Sequence, residues 1–552
     1  MVNVIFNKKY LIRLVGHEMS DQELSDIVEK MGLEVEEQDK DSVTIAVLNR
    51  PDLMEINGFA RAVRHFAYRG TSFNYSLHAD KPVLEIKVNR NVNHIRPYIA
   101  ALVANGLNFD DESLTHLINF TEKLSQTFGR NRKKIAIGMH DLSKVEPKES
   151  SYIEYGAFKG LCFIPLGYTS EASFDEILKE HKKGKEYSDI LDNAKGSYPA
   201  LVDDRGAMSL IPIVNSERTK VTTKTHNMLL EITGSSIHAV EGAISLFAAA
   251  LKDMESEVYP VKISYGKKEK TTPNDTRREM SILLTTIERN IGAMIGFNRI
   301  ITLANRMGYD AALLGKRILF KLPTYRLDLI NEQDIIEDIA IAYGYENIMP
   351  IPIFSSQVGE LDNGSELESE LANVMLGLGF TETVNSYLTN KETNFDKMNI
   401  EESEEYVEVK ESRVSTIGML RTSLLPSLLL NLSKSTHQRM PQKLFETDLK
   451  FNITNGKVNE TYALAAVAVD PKSNFNDAKA LVIALGRSLG VEIKVRKADD
   501  KRFIPGRCAE IISSNTTIGV FGELHPIVLR NFGIEEPGIA LEIEMLNAQL
   551  KE

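Results

Sequence analysis

The sequence predicts an α+β chain built from several domains, and three observations carry that prediction. Its 552 residues are too many for one hydrophobic core, and roughly three to five domains are expected. Shifting residues 31–63 by 276 positions lays them without a gap on residues 307–339, so one helix–strand–helix module occurs twice. Between the copies lies a strand-rich stretch with mixed helices, and a second mixed region follows the later copy. The divisions drawn from this are 1–84, 85–265, 266–350 and 351–552. A hydrophobic content of 43% with 26% charged residues is ordinary for globular protein.

In the first copy, Ser20-Asp-Gln-Glu23 is a capping-box pattern, opening a helix through Met31 that Gly32 closes. Val43–Val47 alternates as a strand, and a second helix carries Ile56, Phe59, Ala60 and Val63. Arg50-x-Asp52-Leu53 matches Arg326-x-Asp328-Leu329 in the later copy, and Phe59/Val63 match Ile335/Ile339. There the Tyr325–Leu329 alternation predicts a short strand. Asn331 serves as N-cap, Glu332–Tyr343 as helix and Gly344 as its terminator.

On that helix Asp334, Glu337 and Asp338 fall at i, i+3 and i+4, on one face, with Asp328 a few residues before the cap. Two readings stand. Four carboxylates around one point need a cation between them, and an all-oxygen set suits Mg²⁺. Alternatively, Asp334 complements the helix dipole in the first turn and the others are solvated. The first copy has Gly58, Arg61 and Ala62 at the matching positions and is expected to hold no metal.

A net charge of −12 does not mark a nucleic-acid binder; an RNA partner would require local basic patches or a more basic second subunit. Cys162 and Cys508 are the only cysteines, too few for a disulfide framework or a zinc site. The first sixteen residues lack an uninterrupted apolar stretch of signal-peptide length, and no stretch of about 18 apolar residues occurs. A cytoplasmic protein without a membrane span is expected.

In the middle region Leu84–Val88 and Leu229–Gly234 read as strands and 111–128 as a helix. The basic clusters 130–134 and 181–185 read as solvated loops, and 266–280 as an exposed linker around Pro273. In the last region 367–378 reads as an amphipathic helix and Phe380–Leu388 as a strand. A helix begins around Pro426, Gln442–Asp448 is a strand, and 506–534 gives two strands turning at Asn515 before a helix from Pro526.

The run Y-R-x-D-(x5)-D-x-x-E-D-x-A-I-A-Y-G-Y resembles the metal-carrying module of phenylalanine–tRNA ligase β subunits of the archaeal and eukaryotic type. Ile137-Gly-Met-His-Asp-Leu142 and Ile211-Pro-Ile-Val-Asn-Ser-Glu217 resemble segments of that family's editing domain. Leu420–Pro426, Pro441–Glu446 and Pro505–Arg507 with Ile518–Pro526 resemble its class II synthetase-like domain. The family's Phe-Glu-x-Gly-Asp becomes Phe445-Glu446-Thr447-Asp448 here, which leaves the local turn open.

The resemblance implies two repeat modules flanking an α/β editing domain, then an antiparallel class II-like sheet domain lacking the catalytic motifs. It implies that Asp328, Asp334, Glu337 and Asp338 hold Mg²⁺ near an α-subunit contact. It further implies an (αβ)₂ heterotetramer acting on tRNA-Phe, with ATP-dependent attachment of phenylalanine on the α subunit and hydrolysis of mischarged Tyr-tRNA-Phe on this chain.

A synthetic pocket for phenylalanine rejects tyrosine only through the extra hydroxyl, which is why a second, hydrolytic site is useful. Its candidates here are Asn215, Glu217, Glu231 and Thr233; Glu231 and Thr233 alternate onto one strand face. His140 behind them reads as a hydrogen-bonded structural histidine. No G-x-G-x-G-x-x-R, Walker A or Rossmann pattern occurs, and Arg421 and Arg507 read as surface or interface residues. His525 is expected to orient the turn before Pro526. The alternatives are a scaffold and tRNA-binding subunit that has lost editing and, less well supported, a free-standing Mg²⁺-dependent enzyme.

Overall fold

The computed structural model describes residues 2–68, 75–79, 81–149, 151–354, 357–410, 417–435 and 437–544. They form two compact units, Met1–Pro352 and Ile353–Glu552. No described helix is long and apolar enough to cross a membrane.

The repeat governs the first unit. The offset of 276 carries strand Val2–Asn7 onto Arg278–Leu283, helix Lys8–Val15 onto Leu284–Ile291, and helix Asp21–Lys30 onto Phe297–Arg306. Strand Glu34–Gln38 lands on Asp310–Leu314 in the same way. Strand Ser42–Val47 corresponds to Arg317–Leu322, and helix Ile56–Tyr68 to Glu332–Tyr343. Each copy is a three-stranded antiparallel sheet with its third strand in the middle. Each copy therefore begins with a strand and a short helix that the helix–strand–helix reading omits.

Helix Glu332–Tyr343 has the predicted bounds for identifiable local reasons. Asn331 Oδ1 accepts from the Gln333 amide, and Asp334 reaches back to the Asn331 amide, a reciprocal cap. Gly344, at φ 92°, stops it. Ile335, Ile339 and Ala342 are fully buried, as their spacing requires.

Two local readings fail nearby. Tyr325–Leu329 is not a strand: Tyr325, Arg326 and Leu329 are all buried, so the chain turns inward instead of alternating. Residues 266–280 are not a linker either. Val261–Tyr265 turns at Gly266 and pairs with Lys268–Thr272, whose charged, solvated side chains suit a sheet edge. Thr272 then exchanges hydrogen bonds with the Ala101 backbone.

Between the copies stands a ten-stranded mixed sheet. Helix Ile237–Asp253, rich in buried alanines, packs on strands Tyr98–Asn105 and Met228–Gly234. One apolar core runs continuously from the first module through this helix to the second. Arg61 is ion-paired with buried Asp253 and lies over the Tyr325 ring at 4.2 Å, so it ties all three parts together.

The second unit is a seven-stranded, largely antiparallel sheet with cores on both faces. Helices Asn363–Gly377 and Phe475–Ser488 cover one face, Leu425–Lys434 and Pro526–Asn531 the other. Gln442–Thr454 is one continuous strand, so Phe445–Asp448 contains no turn. Only Thr381–Glu382 and Leu388–Thr389 of the expected 380–388 region are strand. His525 caps helix Pro526–Asn531 by accepting from the Ile527 amide.

Arg421 is not a surface residue. Its guanidinium is buried against Glu446 at 2.6 Å and Asp448 at 3.1 Å. Arg421→Met leaves Glu446 buried without its cation, and a loss of about 3–5 kcal/mol is expected, read as a lower denaturant midpoint of the chain.

Candidate functional site

Strand Met228–Gly234 is hydrogen-bonded on one edge to Tyr98–Asn105 and on the other to Ile135–Asp141, and all seven residues are buried. Alternation places Glu231 and Thr233 on one face. Opposite them, across the Ile135–Asp141 pairing, stand two of the smallest residues, Gly138 beside Glu231 and Ala136 beside Thr233. Beside them lies a cavity of about 250 Å³, with Ile118, Met139 and Val221 among its apolar walls and Asn215, Glu231 and Thr233 among its polar ones.

Glu231 is 2% exposed, and its Oε2 has no hydrogen-bond partner among the described residues. Burial pushes its carboxyl up to about 8, so at neutral pH it is mostly protonated and offers both a donor and an acceptor. A Cβ on Gly138 would lie 2.2 Å from Glu231 Oε1, so the carboxyl occupies space that only glycine leaves free. Asn215 is fixed through its amide, which donates to the Met139 carbonyl at 3.2 Å.

Of the four sequence candidates for this site, Asn215, Glu231 and Thr233 meet at the cavity and Glu217 does not. Glu217 accepts from the Gly167 amide at 2.7 Å and from Lys220 at 3.2 Å, outside the lining. It closes a turn. His140 is buried with Nδ1 2.8 Å from Thr219 Oγ1, and burial pushes it down to about 4, so it is neutral and no part of the lining.

The two basic clusters are not simply solvated. Arg132, at φ 65°, is buried and donates to the carbonyls of Pro212 and Ile213 at 3.0 and 2.9 Å. Its other end pairs with Glu122, which also binds Lys183. Arg132, His181 and Lys183 all line the cavity.

The acid quartet is arranged differently from a metal cage. Arg326, fully buried, donates through Nε to Asp328 Oδ1 at 2.9 Å. Its Nη2 reaches Asp328 Oδ2 at 2.7 Å and Asp338 Oδ2 at 2.6 Å. Burial works against the Asp328 carboxylate, but the guanidinium outweighs it and holds Asp328 below the usual carboxylate range. Asp334 Oδ2 accepts from the amides of Ile330 and Asn331 at 2.6 and 2.7 Å, and Glu337 is exposed.

The cation between Asp328 and Asp338 is thus the chain's own arginine, Asp334 is spent on the helix cap, and Glu337 points outward. Among the described residues no three His, Cys, Asp or Glu side chains gather closely enough to hold a metal. The expectation of a four-carboxylate Mg²⁺ site does not fit this arrangement.

Three family profiles match consecutive stretches of the chain: a B3/4 domain over residues 81–263, a tRNA synthetase B5 domain over 280–345, and a phenylalanyl tRNA synthetase beta chain CLM domain over 349–545. The phenylalanine–tRNA ligase beta subunit of Methanocella arvoryzae is 33% identical over 99% of both chains. That of Pyrococcus furiosus is 36% identical, covering 97% of this chain and 98% of the relative. The chain belongs to the phenylalanine–tRNA ligase beta subunit family. Among solved structures, an N-terminal fragment of the Pyrococcus horikoshii phenylalanyl-tRNA synthetase beta subunit matches with a TM-score of 0.59 at 32% identity. The match covers 62% of this chain and all of that fragment.

As a beta subunit of this family the chain is part of an aminoacyl-tRNA ligase with an alpha-subunit partner. In its second unit, buried Arg421 and the Arg507–Glu523 pair at 2.8 Å are both committed to carboxylates. Buried Arg421 is not free to clamp a triphosphate.

Two measurements test the site. Glu231 folded at about 8 against 4.5 unfolded means the native state binds the extra proton between those values. The resulting penalty is absent below pH 4.5, grows by about 1.4 kcal/mol per pH unit across the window, and is constant above it. Wild type should therefore lose stability relative to Glu231→Gln as pH rises from 5 to 8, read by denaturant titration at each pH. For the quartet, EDTA should leave the unfolding midpoint unchanged, whereas Arg326→Met, which strands two buried carboxylates, should cost about 3–5 kcal/mol.

Proposed function

We propose that this beta subunit, assembled with its alpha partner as an (αβ)₂ heterotetramer in the cytoplasm, supports ATP-dependent attachment of phenylalanine to tRNA-Phe. Adenylate formation and transfer occur on alpha; this chain supplies scaffold and tRNA contacts. Its cavity hydrolyses tyrosine wrongly attached to tRNA-Phe.

The observation that carries the hydrolytic reading is the protonated carboxyl of Glu231 in the cavity wall, its Oε2 without a hydrogen-bond partner among the described residues. A tyrosyl ring meets the apolar walls and its hydroxyl satisfies Glu231. A phenylalanyl ring leaves that buried carboxyl unpaired, which is the stronger kind of discrimination. Glu231 and Thr233 are two residues apart on one strand, roughly 7 Å along it, a span comparable with the distance between tyrosine's phenol oxygen and carboxyl carbon. One residue then reads the hydroxyl while the other lies toward the ester. Arg132 is spent on Glu122 and the Pro212 and Ile213 carbonyls. The positive charge for the phosphates of the tRNA 3′ end therefore comes from the lysines of the lining, Lys183 and the exposed Lys220, which exchange their exposed pairing with Glu122 and Glu217 for phosphate.

The test is deacylation of Tyr-tRNA-Phe by the alpha–beta complex, with and without Glu231→Ala. The wild-type complex should hydrolyse the tyrosyl ester, and the variant should lose about 100-fold in selectivity for tyrosyl over phenylalanyl ester. A wild-type rate no faster than the buffer blank would instead assign the chain a scaffold and tRNA-binding role alone.

A further inference from the structure

Arg96 lies behind the cavity wall, 2% exposed, and it is unusual in what it binds. Its Nε donates to Thr233 Oγ1 at 2.9 Å, Nη2 to the Thr233 carbonyl at 2.7 Å, and Nη1 to the Arg132 carbonyl at 3.0 Å. All three acceptors are neutral, and among the described residues no carboxylate forms an ion pair with it. Burial lowers this guanidinium to about 10, a measure of what it costs to keep the charge there. Buried charges are normally paired, so an arginine held on neutral oxygens calls for a reason in the groups it touches.

Both of those groups belong to the cavity lining. The Thr233 hydroxyl has one proton to give and two lone pairs. Arg96 Nε–H occupies a lone pair, and among the described residues no protein acceptor takes the Thr233 proton. The strand is paired on both edges, so the open direction for that O–H is the cavity. A cation donating to the oxygen also makes the O–H a stronger donor. The third bond holds the carbonyl of Arg132, a residue in left-handed backbone conformation whose guanidinium fastens Pro212 and Ile213.

We propose that Arg96 is a positioning residue for ester hydrolysis in this cavity, committing the Thr233 hydroxyl to donate to the carbonyl oxygen of the bound aminoacyl ester. This rests on the hydrolytic reading given above. Water adds to the ester carbonyl carbon, and the oxygen that becomes negative accepts the Thr233 hydrogen bond. The bond to the ribose oxygen then breaks, the ribose oxygen takes a proton, and the amino acid leaves as its carboxylate with the second proton passing to solvent. Thr233 keeps its own proton throughout.

The experiment uses the alpha–beta complex and Tyr-tRNA-Phe under single-turnover and steady-state conditions, with Phe charging reporting that the complex is assembled. Thr233→Val and Arg96→Met should each lower the maximal deacylation rate about 100-fold, the size of losing one donor to a developing oxyanion, with KM changed only a few-fold. Thr233→Ser, which keeps the hydroxyl, should stay near wild type. The double variant Arg96→Met/Thr233→Val should be no slower than Thr233→Val alone, because both changes remove one donor.

A wild-type rate for Thr233→Val, a multiplicative loss in the double variant, or an effect of Arg96→Met confined to KM overturns the proposal. If Arg96→Met does not fold, Arg96→Lys, which keeps a buried cation without the guanidinium fork on Thr233, takes its place, with the same loss expected and a wild-type rate overturning the proposal. A wild-type complex that does not deacylate Tyr-tRNA-Phe removes the hydrolytic reading, and this proposal with it; an active wild type with an unimpaired Arg96→Met removes the proposal alone.

Discussion

The central constraint on the candidate site is a strand that has neighbours on both edges. Met228–Gly234 hydrogen-bonds to Tyr98–Asn105 on one side and to Ile135–Asp141 on the other, which fixes its register twice over. A slip by one residue against either neighbour would turn Glu231 and Thr233 to the opposite face and bring Leu230 and Ile232 into the cavity. The polar pair is therefore held by the sheet itself, and the loops that complete the cavity need only bring their side chains to a fixed wall.

The repeat supplies the second constraint. Two copies of one small module share a core with the helix between them, and the residues that differ between the copies do the joining. Where the later helix carries Glu337, the first carries Arg61, which reaches Asp253 and covers Tyr325. Where the later helix carries Asp334, the first has Gly58, whose Cβ would lie 2.2 Å from the Asp52 carbonyl. The shared Arg-x-Asp element is kept in both, as Arg50–Asp52 at 2.6 Å and Arg326–Asp328 at 2.7 Å. Divergence has fallen on the outer contacts and spared the internal ion pair.

Local signals were legible in the sequence wherever the cause is local. The cap and terminator of Glu332–Tyr343 are written in Asn331, Asp334 and Gly344, and the cavity face is written in the alternation of Glu231 and Thr233. The 276-residue offset exposed the duplicated module, although its opening strand and helix lack a pattern strong enough to be read alone. What stayed hidden depends on distant partners. Nothing near Arg132 or Lys183 announces that Glu122 and the carbonyls of Pro212 and Ile213 will draw them to the cavity. Of the four acids only Asp328 and Asp338 share a cation, and it is Arg326, which the sequence presents as part of the motif; Asp334 and Glu337 stand apart from it. Charged edge residues made Lys268–Thr272 look like a linker because solvation of an edge and solvation of a loop leave the same composition.

Gly138 has a consequence for how this pocket can change over evolution. The carboxyl of Glu231 sits where a methyl on residue 138 would be, and it is the free end of a flexible side chain, so the sheet has no need to give way. One added carbon would crowd the Glu231 carboxyl while the surrounding strands kept their pairing. A lineage can therefore retire the proposed selectivity by a single, structurally mild substitution that leaves the sheet pairing in place.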